Sequence, residues 1–272
     1  MKDWLIVTDL DGTLLDDSYP VKDAAAALAK AEEIDSAYGI VLASSKTLAE
    51  MQVLAEAVDR PLYLIFENGA GVAWQDGLMM RGSQPEIGGY RVVKFCLGYR
   101  QVCEVLELQR FLGYPFIGFS GMTAHQVAKR TGLTVSAAKL AKQRLFSEPI
   151  VWQGDKHLLT RFKRSLGEYG LTIQLGGRFH HVSSGANKAT ALAYLRSQIR
   201  LESGVKTKVL ACGDAPNDLE IINKADHALV FPQRSGEYIR QQNERVWHAL
   251  QPGPVSWLSS VQKILASRGV HA

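Results

Sequence analysis

The stretch Asp9-Leu10-Asp11-Gly12-Thr13 decides the fold, because it directly follows an apolar segment, Trp4–Thr8, that is typical of a short buried strand. In extended backbone, residues two apart share a face, so Asp9 and Asp11 are expected to point into one site. Gly12 allows the chain to turn away sharply after them. Ligand sites of open α/β sheets gather at the carboxyl ends of strands, and we therefore expect a site here.

Apolar segments of strand length alternate with segments of helical periodicity on both sides of this stretch. Such alternation is typical of a parallel sheet with crossover helices, and the predicted class is α/β, with a doubly wound, Rossmann-like core. The predicted strands are residues 4–8, 39–43, 62–66, 208–212 and 227–231. The predicted helices are residues 21–33, 47–58, 188–200 and a short one from 218.

The middle of the chain departs from this order. Glycine and proline are frequent in residues 81–89, and beyond them helices mix with strand-like pieces at 116–119, 149–152, 172–175 and 179–182. We therefore predict a discontinuous core, residues 1–82 and 187–272, interrupted by an inserted α+β module, residues 83–186.

Composition excludes several classes of protein. The 272 residues are 46% hydrophobic and 21% charged, which is typical of a globular protein without low-complexity tracts. Three cysteines without CxxC spacing argue against a disulfide framework or a zinc site. The first apolar run is too short for a signal peptide or a membrane span, so we expect a soluble, cytoplasmic protein without a membrane partner. The net charge of +4 would permit nucleic-acid binding, but it is modest and spread along the chain, and it suits a small anionic substrate equally well. We expect no nucleic-acid partner.

A second acidic stretch, Gly213-Asp214-Ala215-Pro216-Asn217-Asp218, follows the predicted strand 208–212. If Asp214 lies near Asp9 and Asp11, the carboxylates repel one another unless a cation neutralises them. Mg²⁺ is the expected cation, because one or two carboxylates together with water and substrate phosphate usually hold it. The side chains of Asn217 and Asp218 can bind the ion or orient its ligands.

These residues resemble, in order and context, the motifs of the haloacid dehalogenase superfamily: the two aspartates of 9–13, Ser44 after the second strand, Lys188 at the start of a helix, and the stretch 213–218. The resemblance spans the chain and implies a phosphatase. It implies that Asp9 is the nucleophile, Asp11 the general acid/base, and Ser44 and Lys188 the ligands of the phosphoryl group. The implied metal ligands are Asp9, Asp11, through its backbone carbonyl, Asp214, Asn217 and Asp218.

The insertion between Ser44 and Lys188 resembles the C2-type cap of the sugar-phosphatase branch, and Glu67-Asn68-Gly69-Ala70 is similar to a tetrapeptide common in that branch. More narrowly, three further matches resemble the mannosyl-3-phosphoglycerate phosphatase family: Ser44–Thr47, Arg144 with Ser147–Pro149, and Gly177-Arg178 followed by His181. This family implies a substrate with a hexose, a glycerate carboxylate and a phosphate. The implied substrate-binding residues are Ser45, Lys46, Asn68, Arg144, Glu148, Arg178 and His181. Arginine forks suit carboxylate or phosphate, and Glu148 can accept hydrogen bonds from sugar hydroxyls.

Other interpretations remain open from the sequence. Ser44 could cap the helix that follows it. Arg144, Glu148, Arg178 and His181 could each form an ordinary surface or interface ion pair. The substrate could be glucosyl-3-phosphoglycerate or a general sugar phosphate, and a phosphohexomutase would use the same chemistry. A phosphoacceptor signalling domain also uses strand-end aspartates, but it needs no insert. Residues 125–144 have the pattern of a helix-turn-helix, which would indicate a DNA-binding regulator; a helix pair joined at Gly132 within the insert explains the same pattern.

Overall fold

The computed structural model of the chain contains a nine-stranded sheet and a four-stranded sheet. It describes residues 3–15, 21–33, 38–58, 61–78, 84–176, 179–185 and 187–267. The strands are β1 (Trp4–Thr8), β2 (Tyr38–Ala43), β3 (Tyr63–Phe66), β4 (Gly71–Trp74), β5 (Glu86–Ile87), β6 (Tyr90–Lys94), β7 (Phe116–Gly118), β8 (Glu148–Trp152), β9 (Thr172–Leu175), β10 (His180–Ser183), β11 (Lys208–Gly213), β12 (His227–Val230) and β13 (Val246–His248). The α-helices are α1 (Val21–Glu33), α2 (Leu48–Val58), α3 (Tyr99–Phe111), α4 (Ala124–Thr131), α5 (Val135–Ala141), α6 (Lys156–Glu168), α7 (Lys188–Ser203), α8 (Leu219–Lys224) and α9 (Pro254–Ala266).

The large sheet is mainly parallel. Its strand order is β13-β12-β11-β1-β2-β3-β4-β6-β5, and the pairs from β13 to β3 are parallel whereas those from β3 to β5 are antiparallel. In β1, Val7 lies opposite Ala211 of β11 on one side and Val41 of β2 on the other. The neighbouring strands β11, β1, β2 and β3 therefore end at the same edge of the sheet.

Helices cover both faces of the large sheet, as a doubly wound fold requires. Buried side chains of α1, α2 and α9 form one core with residues such as Ile6 and Leu42. Buried side chains of α7 and α8 form a second core with residues such as Val7 and Val41 on the opposite face. The alternation of Ile6 and Val7 between the two cores is the two-residue period of a strand buried on both sides.

The small sheet lies within the predicted insert. Its strand order is β7-β8-β10-β9, it is antiparallel throughout, and α3 and α6 pack on it around Phe162 and Leu166. The predicted insert began at residue 83, but β5 and β6 hydrogen-bond into the large sheet. The segment that builds the second sheet therefore starts after Lys94, and the linker predicted at 81–89 includes part of the large sheet's edge, with 81–83 outside the described residues.

The segment with the helix-turn-helix pattern forms α4 and α5. Thr123 and Thr134 cap the two helices, and Gly132 ends α4 at a left-handed φ of 80°. Thr47 Oγ1, at the start of α2, donates a hydrogen bond of 3.0 Å to the carbonyl oxygen of Leu140 in α5. The helix pair therefore connects the insert to the large-sheet core.

Most predicted elements are confirmed within one or two residues at each end. The two-strand edge β5–β6, the short β13 and the last helix α9 are additions to the predicted pattern. Among the described residues, none of the helices combines the length and the hydropathy needed to cross a membrane.

Candidate active site

A buried ion network lies at the carboxyl edge of the large sheet. Lys188 Nζ, in a side chain only 1% exposed, lies 2.6 Å from Asp9 Oδ1 and 2.6 Å from Asp218 Oδ1. Burial works to lower the pKa of Lys188, but Asp218 and Asp9 outweigh it and raise that pKa above its ordinary value. The lysine is therefore a fixed positive charge at the predicted nucleophile.

The surrounding secondary structure positions both partners of this pair. The amide of Asp9 donates to the carbonyl of Cys212 in β11, which fixes the turn after β1. Trp257 Nε1 of α9 donates to Thr8 Oγ1 at 3.0 Å, and that hydroxyl donates to the Asp9 carbonyl at 2.8 Å. Lys188 is the first residue of α7, which Asn187 caps by accepting from the amide of Thr190 at 2.9 Å.

Asp214 completes an acidic cluster with Asp9 and Asp218, whose carboxylate oxygens lie within 4.8 Å of one another. Burial, and then Asp218, raises the pKa of Asp214 to about 7, although Lys188 and Thr13 lower it in part. Burial likewise raises the pKa of Asp9, against the opposing effect of Lys188. A Cβ on Gly12 would lie 2.5 Å from Asp214 Oδ2, so the glycine allows the first acidic loop to approach the second.

The oxygens at this site differ in how many hydrogen-bond partners they already have. Asp218 Oδ1 binds Lys188, and Asp218 Oδ2 accepts from the amides of Asp214 at 3.3 Å and Ala215 at 3.1 Å. Asn217 Nδ2 donates to Asn68 Oδ1 at 3.0 Å, while Asn217 Oδ1 is buried and has no hydrogen-bond partner in the described part of the chain.

This donor set fits a hard divalent cation. Three clustered carboxylates face one ammonium group, so the ionised cluster carries more negative charge than Lys188 neutralises. All available ligand atoms are oxygens, which Mg²⁺ prefers. Asp9, Asp214 and the Asn217 amide oxygen have the capacity to bind such an ion, whereas both oxygens of Asp218 are already used by protein donors.

The loop after β2 carries Ser44, Ser45 and Lys46, and Lys46 reaches the first acidic loop. Ser44 is buried, and its Oγ accepts from the amide of Lys46 at 3.2 Å. Lys46 Nζ lies 2.8 Å from Asp11 Oδ2, and the Asp11 side chain is 60% exposed. The predicted general acid/base thus faces solvent with a lysine partner.

Thr47, rather than Ser44, caps α2. The amide of Glu50 donates to Thr47 Oγ1 at 3.1 Å, and the amide of Thr47 donates to Glu50 Oε2 at 2.9 Å, which is a capping box. The alternative role of Ser44 as the helix cap is therefore wrong, and its hydroxyl has no capping duty.

Protein partners satisfy two of the predicted substrate ligands in the insert. The guanidinium of Arg144 donates to the carbonyl of Ser45, at 3.3 and 3.2 Å, and to the carbonyl and hydroxyl of Ser147, at 3.2 and 2.6 Å. Glu148 is fully buried and accepts from Tyr99 OH at 2.8 Å and from the amide of Ser120 at 2.7 Å. These contacts give Arg144 and Glu148 structural roles, and their contact with substrate stays a prediction.

His181 lies on β10 near Arg144. Burial lowers the pKa of His181 to about 3, with smaller contributions from Arg144 and His180, so the ring is neutral at physiological pH. Its Nδ1 is buried without a hydrogen-bond partner among the described residues. Arg178, predicted beside it, lies outside the described residues.

The sequence interpretation gave no role to Glu67. This residue follows β3 of the large sheet and connects it to the segment before β8 through four hydrogen bonds to residues 145–147. Its signal was present in the Glu67–Ala70 tetrapeptide, but only Asn68 was singled out. Thr13, whose hydroxyl lies 3.3 Å from Asp214 Oδ1, was also missed.

Comparison with known proteins agrees with this geometry. A family model for haloacid dehalogenase-like hydrolases matches residues 6–86, and one for sucrose-6F-phosphate phosphohydrolase matches residues 160–253. A protein of Methanococcoides burtonii named glucosyl-3-phosphoglycerate/mannosyl-3-phosphoglycerate phosphatase is 30% identical over 268 residues, covering 96% of this chain and 97% of that protein.

Two solved structures share the fold. A haloalkanoate-superfamily phosphatase from Bacteroides thetaiotaomicron aligns with a TM-score of 0.64 and 20% identity, covering 97% of this chain and 96% of that one. The sucrose-phosphatase from Synechocystis aligns with a TM-score of 0.57 and 14% identity, covering 97% and 98%. The chain belongs to the haloacid dehalogenase-like hydrolases, in their sugar-phosphatase branch. Its activity is that of a phosphoric monoester hydrolase.

Proposed function

We propose that this enzyme is a Mg²⁺-dependent phosphatase that hydrolyses mannosyl-3-phosphoglycerate to mannosylglycerate and phosphate, with Asp9 as the nucleophile. The observation that carries the proposal is the buried Asp9 carboxylate, 2.6 Å from Lys188 and clustered with Asp214. The name of the Methanococcoides burtonii relative supports this substrate class.

Charge determines which residues act on the phosphoryl group. An anionic carboxylate must approach an anionic phosphate, and only local positive charge makes that approach favourable. Lys188 supplies one such charge at Asp9 itself, and Ser44 offers a hydroxyl group at the next strand end. When bound by Asp9, Asp214 and Asn217, Mg²⁺ supplies further charge neutralisation for the transferred phosphoryl group.

Two proton transfers by Asp11 complete the proposed reaction. Asp9 attacks phosphorus, the bond from phosphorus to the substrate oxygen breaks, and protonated Asp11 donates its proton to the departing alkoxide. Ionised Asp11 then removes a proton from water, the water oxygen attacks the aspartyl-phosphate, and the bond from phosphorus to Asp9 breaks. Phosphate leaves, Asp9 is again a carboxylate, and Asp11 is again protonated. The ion pair with Lys46 holds the Asp11 side chain while it is ionised, between the two proton transfers.

We further propose that the insert selects the substrate and excludes water during transfer. In this proposal Arg144 and His181 interact with the glycerate part of the substrate. The contact of the Arg144 guanidinium with the Ser45 carbonyl, in the loop that carries Lys46, supports this role. A neutral His181 can donate or accept one hydrogen bond without adding charge.

A phosphate-release screen tests the proposal. Mannosyl-3-phosphoglycerate, glucosyl-3-phosphoglycerate and a simple hexose phosphate are supplied with Mg²⁺ and, in parallel, with EDTA. We expect fastest release from the mannosyl compound and loss of release in EDTA. Faster release from the hexose phosphate would contradict the substrate. Isomer formation without phosphate would indicate a phosphohexomutase, and salt-sensitive retention of duplex DNA without hydrolysis would indicate a regulator.

A further inference from the structure

The turn that follows β3 has an unusual backbone. Glu67 and Asn68 have φ values of 49° and 59°, and they are the two residues other than glycine with positive φ in the described part of the chain. Left-handed backbone is unfavourable for a residue with a long side chain and persists only where the surroundings require it. Glu67 is also 1% exposed, so its charge is held inside the protein.

The carboxylate of Glu67 binds the segment that leads from the helix pair into β8. Its Oε1 accepts from the amide of Leu145 at 2.7 Å. Its Oε2 accepts from the amide of Phe146 at 3.0 Å, and from the amide and hydroxyl of Ser147, both at 2.7 Å. Glu67 stands at a strand end of the large sheet, so these four bonds cross from the core to the insert.

Glu67 and Arg144 also contact the loop after β2. Arg144 Nε lies 3.5 Å from Glu67 Oε2, and the Arg144 fork holds the carbonyl of Ser45. The amide of Glu67 donates to the carbonyl of Lys46 at 2.9 Å. Lys46 in turn makes the ion pair with Asp11. A displacement of residues 144–147 is therefore transmitted to both Ser45 and Lys46.

Asn68 and Gly69, the rest of the turn, contact the second acidic loop and the start of α7. Asn68 accepts from Asn217 of the second acidic loop. A Cβ on Gly69 would lie 2.2 Å from the Asn187 carbonyl group and 2.6 Å from the Lys188 amide, so the turn packs directly on the start of α7. One three-residue turn thus contacts the segments that carry Lys46, Lys188 and Asn217.

We propose that Glu67 is a positioning residue for phosphoryl transfer: by binding residues 145–147 it docks the insert on the core and fixes the Lys46–Asp11 pair. The proposal rests on the role of Asp11 proposed above. A carboxylate suits this task because it only accepts, and four donors converge on it. Glutamine in its place has one acceptor oxygen and an NH₂ group that would face donors, so at least one bond must break.

The test compares Glu67→Gln with two controls, Glu104→Gln and Glu148→Gln. Glu104 is exposed on α3 and pairs with Arg100. Glu148 is buried and, among the described residues, accepts its hydrogen bonds from groups of the insert. The probe substrate is p-nitrophenyl phosphate with Mg²⁺, and hydrogen exchange of the peptides containing residues 44–47 and 145–147 is measured in parallel, together with thermal unfolding.

We expect Glu67→Gln to lower kcat by about 10- to 100-fold with little change in KM, because small displacements of catalytic groups reduce turnover strongly. We also expect faster exchange in both peptides. Glu104→Gln should leave kcat unchanged, and Glu148→Gln should leave exchange at 44–47 unchanged.

Three results would overturn the proposal: wild-type kcat in Glu67→Gln, faster exchange at 145–147 without faster exchange at 44–47, or a loss of kcat that merely equals the unfolded fraction. If the wild-type protein hydrolyses no phosphate ester at all, the proposed function fails. The exchange data then decide alone whether Glu67 links the two segments.

Discussion

The carboxyl edge of the large sheet and the interior of the insert both bury charged side chains, but they neutralise them differently. At the sheet edge, Asp9, Asp214 and Asp218 share one lysine, and burial raises the pKa of Asp214 to about 7. In the insert, Glu148 is surrounded by neutral donors, Tyr99 and the Ser120 amide. The first arrangement leaves carboxylate oxygens available to a cation that can also bind an anionic substrate. In the second arrangement, protein donors already satisfy the carboxylate.

This difference separates the two kinds of buried charge in the protein. A satisfied carboxylate in the insert stabilises one conformation of a loop. A cluster with excess negative charge costs stability unless a ligand binds, which is the electrostatic condition expected of a functional site. Variants at the sheet edge should therefore change both activity and stability, whereas variants in the insert should change mainly stability.

The largest effect is expected from Lys188→Met. Removing the ammonium leaves Asp9 and Asp218 buried without their cation, which should cost about 3–5 kcal/mol of unfolding free energy. It should also lower kcat by roughly 10³-fold, because a positive charge beside the nucleophile is lost. Phosphate release and chemical unfolding measure both.

Lys224→Met is the matched control. Lys224 forms an exposed pair with Glu220 at 2.5 Å on α8. Its loss should cost about 0.3–0.5 kcal/mol and leave kcat unchanged. Similar losses from the two lysine variants would contradict the distinction between site and surface charge.

A second variant pair tests the packing of the turn after β3 on α7. Gly69 and Gly113 have nearly equal φ values, 91° and 88°, but a Cβ meets the Asn187 backbone at 2.2 Å in the first case and nothing within 4 Å in the second. Gly113→Ala should cost about 1–2 kcal/mol from backbone strain alone. Gly69→Ala should cost roughly 1–3 kcal/mol more through overpacking, and should also reduce kcat.

Unfolding in denaturant measures the two costs, and equal values would show that the turn and the helix start are not tightly packed. A full kcat in Gly69→Ala would show that Lys188 keeps its place when α7 moves.

A smaller effect is expected from Glu148→Gln. The glutamine keeps one acceptor oxygen for two donors, so we expect a loss of about 1–3 kcal/mol from an unsatisfied buried group. The loss should not depend on Mg²⁺, because the hydrogen-bond partners of Glu148 in the described part of the chain are groups of the insert. Thermal unfolding with and without Mg²⁺ measures this, and a Mg²⁺-dependent loss would place Glu148 in the same electrostatic system as the sheet edge.

The smallest effect concerns pH in the presence of EDTA. Burial raises the pKa of Asp214 from 3.8 to about 7, so the folded protein retains a proton that the unfolded chain has released. Stability from this group is therefore lost as the pH rises from about 4 to about 7, and Asp9, whose pKa is also raised, acts in the same direction.

We expect the Tm in EDTA to fall less steeply between pH 5 and pH 8 in Asp214→Asn than in the wild type. Mg²⁺ should stabilise the wild type more at pH 8 than at pH 5. If the Tm of the two proteins depends on pH in the same way, folding does not raise the pKa of Asp214.

Sequence reasoning reached further in the core than in the insert, for a physical reason. Asp9, Ser44 and Asp214 each directly follow an apolar strand, and parallel strands end at one edge, so local pattern alone brings them together. The sequence pattern also located β7 to β10 within one residue at each end.

The partners of buried polar groups were beyond that reasoning. Glu67 binds residues about 80 positions away in sequence, and no local pattern specifies such a contact. The edge strand β5 was missed because Glu86–Ile87 is short and exposed, so it lacks the apolar signal of a central strand. The capping box Thr47–Glu50 was readable in the sequence, and it would have settled which residue caps α2.

The most direct test of the central claim is detection of phosphate on Asp9 itself. The enzyme is mixed with substrate and Mg²⁺, quenched in acid within one turnover, digested, and analysed by mass spectrometry, with Asp9→Asn treated in parallel. We predict a phosphoryl group on the Asp9 carboxylate in the wild type and neither adduct nor turnover in Asp9→Asn. Turnover by Asp9→Asn close to the wild-type rate, or a phosphoryl group on a different residue, would contradict the account.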